Sequence, residues 1–154
     1  MIRRLLAASL ALAILHTPAA LAEPKPSDVA VNARTVPLTI SGTGHRVLKF
    51  RVEVARTPAQ QELGLMYRRK MAADHGMIFP MTPPRFASFW MRNTYLPLDL
   101  IFVRADGTIA SIAPDAKPLS LDTIDSFEPV AAVLELNAGV AARRGIKAGD
   151  RVRW

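Results

Sequence analysis

The chain contains no cysteine. This excludes disulfides, thiolate metal sites and a cysteine nucleophile together, so an ordered domain must rest on its apolar core alone. After the first 22 residues no apolar run is long enough to cross a membrane as a helix, and no internal repeat is present. The turn Gly42-Thr43-Gly44 lacks the length and the lysine of a phosphate-binding loop. Ser88 and Ser111 lack the glycine flanks of a nucleophile elbow. Basic residues outnumber acidic ones, 20 to 13, for a formal charge of +7. They are scattered in short clusters, Arg68-Arg69-Lys70, Arg143-Arg144 and Arg151 with Arg153, without interleaved aromatics. Nucleic-acid binding calls for a continuous basic face with stacking platforms, so no nucleic-acid partner is expected. A solvated surface remains, with at most weak attraction to anionic lipid or cell-wall polymer.

What is present divides the chain into three parts. Half of the 154 residues are apolar, enough for one core and hardly for two. The start, MIRRLLAASLALAILHTPAALA, has Arg3 and Arg4, an apolar segment from Leu5 to Leu15, and the small-x-small exit Ala20-Leu21-Ala22. That is the layout of a secretory signal peptide cleaved after Ala22; the alternative is an uncleaved N-terminal anchor. No cysteine stands at the exit for lipid attachment, so export to a bacterial periplasm is the expectation. Loss of Arg3 and Arg4 leaves 18 basic residues and a charge of +5. Residues 23–34, EPKPSDVAVNAR, read as a flexible leader, and residues 35–154 as a single domain.

In Val47–Val54, Leu48, Phe50, Val52 and Val54 alternate with Lys49, Arg51 and Glu53, the period of a strand with one wet face. Thr57, Pro58 and Gln60 form a capping box with proline at the first turn, predicting a helix from Pro58 to about Met66 despite Gly64. Met77–Phe79 reads as a brief strand ended by Pro80–Pro84, and Phe86–Met91 and Leu98–Val103 as two more. Asp106-Gly107 supplies a tight hairpin turn, returning the chain through Ile109–Ile112. Pro114–Pro129, with Asp115, Asp122, Asp125 and Glu128 against Lys117 alone, reads as a long surface loop. Val130–Leu136 is a strand, Ala138–Arg144 a helix stopped by Gly145, and Ile146–Val152 a turn into a last strand. The expected fold is mainly β (α+β): a small barrel-like or rolled antiparallel sheet with two short helices, the other possibility being an open α+β sandwich.

Five blocks in order carry a resemblance. They are Gly64-Leu65-Met66-Tyr67-Arg68, Gly76-Met77-Ile78-Phe79, Phe89 to Thr94 with Pro97-Leu98-Asp99, Leu134 to Gly139, and Gly145 to Asp150. Over residues 47–152 the chain resembles the family called domain of unknown function 192. The resemblance implies a small β-rich domain, often exported in bacteria, with no established activity. Arg92 departs from the lysine that many members carry and keeps the charge.

The stretch FWMRNTYLPLD, residues 89–99, sets polar groups where two buried strands should meet. Both faces of Leu98–Val103 are apolar, so Asp99 is expected to be desolvated and to need donors, from Arg68 or Arg92 or from backbone amides. Alternation turns Glu135 away from Leu134 and Leu136, toward solvent or a cavity. The expected site is a polar pocket of Arg68, Trp90, Arg92, Asn93, Thr94, Asp99 and Glu135, with Trp90 as wall or stacking surface. Its expected role is non-catalytic binding of a small polar ligand or an envelope partner, with no cofactor and no metal. One alternative is a hydrolase using Asp99 and Glu135 as paired carboxylates. Another is copper binding through Met66, Met71, Met77, Met81 and Met91 with His75, though each of these methionines also suits ordinary packing. His45 and His75 both read as exposed turn residues.

Overall fold

The structure, a computed structural model, describes residues 34–42 and 46–154. The expected signal peptide, the leader through residue 33, and the turn residues Thr43, Gly44 and His45 lie outside the described residues. Nine strands and two short helices follow in chain order. They are β1 (Thr35–Ser41), β2 (Val47–Val54), α1 (Pro58–Leu63), β3 (His75–Arg85), β4 (Ser88–Phe89), β5 (Leu98–Val103), β6 (Ile109–Ala116), β7 (Ile124–Asp125), β8 (Val130–Asn137), α2 (Val140–Arg144) and β9 (Arg151–Arg153).

Seven strands form one sheet in the order β6-β5-β8-β3-β2-β1-β9, and β4 pairs with β7 in a separate two-stranded ribbon. The protein is mainly β with two short helices, as its patterning implies. The sheet differs from the antiparallel expectation at one place. Strands β2 and β3 run parallel, Arg51 opposite His75 through Val54 opposite Ile78, because α1 and its following connection carry the chain back to the same end. The outer strands approach through a single bridge between Thr108 and Arg151, and the sheet does not close into a barrel.

Local chemistry explains most boundaries. At α1 the Thr57 hydroxyl accepts the Gln60 amide at 3.2 Å, and the Gln60 side chain accepts the Thr57 amide at 3.0 Å. The helix ends at Leu63 rather than Met66, because Gly64 turns to φ +47°. Strand β3 runs on through the prolines to Arg85, with an irregularity between Pro80 and Arg85. Of the expected strand Phe86–Met91, only Ser88–Phe89 is extended. Strand β1, not anticipated from the sequence, carries Pro37 in the stretch that β9 leaves uncovered, an edge position where proline is tolerated. The expected loop Pro114–Pro129 gives its start to β6 and its middle to β7. Gly145, at φ +63°, ends α2 as expected.

The core lies on both faces of the sheet. On one face Leu38, Phe50, Val52, Ile101, Leu134 and Leu136 form a continuous cluster closed by Val140, Ile146 and Val152. On the other, Met77, Phe79, Leu98, Leu100, Phe102 and Val133 pack beneath Leu65, Met91 and Leu96 from the connections. Every residue of β5 is therefore buried. Among the described residues no helix is long and apolar enough to cross a membrane.

Candidate functional site

Register decides which polar groups meet. Between β5 and β8, Asp99 stands opposite Leu136 and Leu100 opposite Glu135. Residues opposite one another share a face and neighbours along a strand alternate, so Asp99 and Glu135 lie on opposite faces of the sheet. The expected pairing of these two carboxylates is thus overturned, and with it the hydrolase arrangement built on them.

Asp99 is fully buried and spends both oxygens on backbone amides. Oδ1 accepts from Asp115 and Gly139, each at 3.0 Å, and Oδ2 accepts from Ala141 at 2.9 Å. The first turn of α2 has amides without intrahelical partners, and the Asp99 carboxylate serves them from the neighbouring strand. The expected partnership of Asp99 with Arg68 or Arg92 does not form. Asp99 is a structural clamp outside the pocket, holding the Gly139 turn and the start of α2 to β5.

The interrupted strand is a knot of loops. The Tyr67 amide donates to the Asn93 carbonyl at 2.8 Å, and the Asn93 side-chain amide donates to the Tyr67 hydroxyl at 2.9 Å. Leu119 donates to the Thr94 carbonyl and Met91 to the Ser120 carbonyl, at 3.1 and 3.0 Å. Tyr67, Asn93 and Leu119 all adopt positive φ, near 64°, 55° and 64°. Asparagine accepts that conformation readily; tyrosine and leucine do so at a cost that the surrounding bonds offset. Asn93 therefore ties two segments together. Arg92 stacks over the half-exposed Trp90 ring, 5.4 Å from its centroid.

Under this knot lies a cavity of about 440 Å³, bounded by Gln61 to Met66, Phe79, Met81, the segment from Arg85 to Trp90, Thr94 and Glu135. Three of the expected residues, Trp90, Thr94 and Glu135, line it together. Its character is less polar than expected: Leu65, Met66, Phe79 and Phe89 form much of the wall, with the Phe79 and Phe89 rings edge to face at 5.1 Å. These apolar wall residues escaped the sequence reading because they look like ordinary core. Their one signal is that the blocks Gly64–Arg68, Gly76–Phe79 and Phe89–Thr94 all converge here.

Glu135 is the chemically distinctive lining group. It is 5 % exposed, and its carboxyl makes no hydrogen bond with any described residue. Burial raises its pKa from the ordinary 4.5 to about 8, against a smaller opposing pull from the Arg68 charge. At neutral pH it is a buried, protonated acid facing a cavity, an arrangement concentrated at functional sites. Arg68 itself is committed elsewhere: both terminal nitrogens bind the Glu53 carboxylate, Nη2 to Oε2 at 2.7 Å, while its buried Nε has no partner among the described residues. Arg68 lines a second, larger recess with Glu53 and Met77 that shares Leu63 and Gly64 with the first.

The methionines of the copper alternative sit at packing positions. Met77, Met81 and Met91 are buried in the apolar cluster with Met71 packed against it, as ordinary side-chain packing. His75 opens β3 beside Asp74, whose carboxylate lies 2.8 Å from Nδ1 and is held below its usual range by that contact. Among the described residues no three acidic or histidine side chains cluster as a metal site.

The sequence pattern of the DUF192 family, described as Uncharacterized ACR, matches residues 38–154. A solved structure from Sinorhizobium meliloti 1021, described as a candidate transcription regulator, is similar at 48 % identity and a TM-score of 0.77, covering 80 % of this chain and 96 % of that one. A protein of unknown function from Novosphingobium aromaticivorans DSM 12444 is similar at 43 % identity and a TM-score of 0.76, covering 86 % of this chain and 99 % of that one. No curated protein matches the chain.

Proposed function

The chain belongs to the DUF192 family, and we propose that it is an exported envelope protein that binds, without catalysis, a small ligand in the cavity floored by Glu135. The observation that carries this reading is a carboxyl that is almost wholly desolvated yet faces a cavity walled in part by Leu65, Met66, Phe79 and Phe89. Desolvation makes ionisation of this carboxyl costly, and a ligand polar group that reaches it across the cavity supplies it with a partner. Trp90 and Thr94 take part as rim and wall, while Arg68, Arg92, Asn93 and Asp99 hold the frame.

Binding is favoured over catalysis because a general acid needs a second group to activate water or attack, and Asp99 is on the other face of the sheet. The protonated Glu135 still supports a second reading, a hydrolase with Glu135 as proton donor and the partner base brought by substrate. Recognition of DNA, suggested by the description of the Sinorhizobium relative, finds little support: α1 has six residues and α2 five, short for a helix that reads a groove. Export rests on the charged, apolar and small-residue order of residues 1–22.

A small-molecule library read by amide chemical shifts tests the pocket. Hits are expected to perturb Leu65, Phe89 and Glu135, and Ser88→Trp, at an exposed lining position, should abolish them. Hits that ignore these residues, or survive Ser88→Trp, contradict the proposal. Mass spectrometry of the periplasmic protein should find Glu23 as its first residue; retention of Met1 in the cytoplasm contradicts export.

A further inference from the structure

Resting on the binding reading above, we infer that the cavity takes a monocationic amine with an apolar body, its ammonium group seated on Glu135. The geometry behind this is a row of charges across one face of the sheet. Glu53 on β2 stands beside Met77 on β3, Met77 opposite Glu135 on β8, and Glu135 opposite Leu100 on β5. Arg68 reaches this row from the connection after α1 and gives both terminal nitrogens to Glu53. Glu53 and Arg68 line the adjoining recess; besides Glu135, the charged groups that line the cavity itself are Glu62 of α1 and Arg85 of β3, one of each sign and both exposed.

Charge balance follows. With Glu53 and Arg68 neutralising one another, an ionised Glu135 leaves one uncompensated negative charge in a buried site, which is costly. The site becomes neutral in one of two ways: Glu135 keeps a proton, or a single positive charge sits against it. A monocation satisfies the second condition, whereas an anion worsens the imbalance and a dication overshoots it. Leu65, Met66, Phe79 and Phe89 then receive the apolar body, and the volume of about 440 Å³ suits a small molecule. On binding, the Glu135 O–H bond breaks, its proton leaves to bulk water, and the carboxylate accepts hydrogen bonds from the ammonium group. Atoms and charge balance with one proton released per amine bound.

Isothermal titration calorimetry with phenethylamine and its neutral isostere 2-phenylethanol tests this, in buffers of differing ionisation enthalpy. At about pH 6.5 the amine should release close to one proton, and its Kd should fall roughly tenfold per pH unit until about pH 8, then level off. The alcohol should bind more weakly and without such tightening. In Glu135→Gln the proton release should vanish and the two compounds should bind with equal affinity. Amine binding without proton release, or no tighter than the alcohol, while both shift pocket resonances, overturns the amine inference and leaves the pocket reading standing. If neither compound at millimolar concentration shifts Leu65, Phe89 or Glu135, both readings fall.

Discussion

Replacing Glu135 by glutamine keeps the size and the hydrogen-bonding capacity of a protonated acid but removes its ability to ionise. In the wild type the folded protein holds that proton up to about pH 8, while the unfolded chain releases it near 4.5. A raised carboxyl pKa means the folded state binds more protons than the unfolded state between those values. Its contribution to stability is therefore complete below about pH 4.5 and is lost progressively as pH rises toward 8. The loss runs at about 1.4 kcal/mol per pH unit, which over this span sets an upper limit of about 5 kcal/mol. Water entry and local relaxation lower the realised figure to several kcal/mol, still a large share of the roughly 5–15 kcal/mol that holds a domain folded. Glutamine has no such pH-dependent loss. Urea denaturation of both proteins at about pH 5, 6.5 and 8.5 and constant ionic strength reads the difference. The two should have similar stability at the lowest pH, and the variant should become progressively more stable than the wild type toward the highest. A difference that stays constant across the range would refute the claim that Glu135 is buried as a neutral acid.

Asp99→Ala should cost about 3–5 kcal/mol, because one buried and two part-buried amide hydrogen bonds lose their charged acceptor, whereas Asp106→Ala, at an exposed turn bonded to Thr108, should cost about 1 kcal/mol or less. Equal melting temperatures for the two variants count against the clamp. Arg68→Met removes the charge that lowers the Glu135 pKa, so the Glu135 midpoint should move above about 8, with an accompanying loss of stability from the unpaired Glu53. A midpoint that moves down, followed by NMR, contradicts the assignment. Gly64→Ala forces a side chain onto φ +47° and sets its Cβ 3.3 Å from the Phe79 ring, at a cost of roughly 1–3 kcal/mol. Unchanged stability in urea would mean that the turn between the two recesses relaxes freely.

Local signals in the chain carried much of the fold. The alternation in Val47–Val54, the Thr57–Gln60 capping box, the Asp106-Gly107 turn and the Gly145 stop each act within a few residues, and each appears as expected. What was hidden depends on partners far away in sequence. Pro37 and the prolines of β3 disguise strands whose hydrogen bonds are arranged around them. The parallel direction of β3 follows from the path of the chain after α1, not from the residues of either strand. The candidate site shows the same limit. Alternation within β5 and within β8 orients Asp99 and Glu135 relative to their own neighbours, yet only the register that sets Leu100 opposite Glu135 separates them onto two faces. Buried polarity at both positions was legible; that one carboxyl clamps a helix and the other faces a cavity was not.

The account turns on a carboxylic acid that keeps its proton at neutral pH on the floor of a cavity. A 13C titration of the Glu135 side-chain carboxyl in the intact domain reads that state without a variant or a ligand. A midpoint near 8 is the predicted result. A midpoint near the ordinary 4.5 would show the group solvated and ionised, and would remove the site.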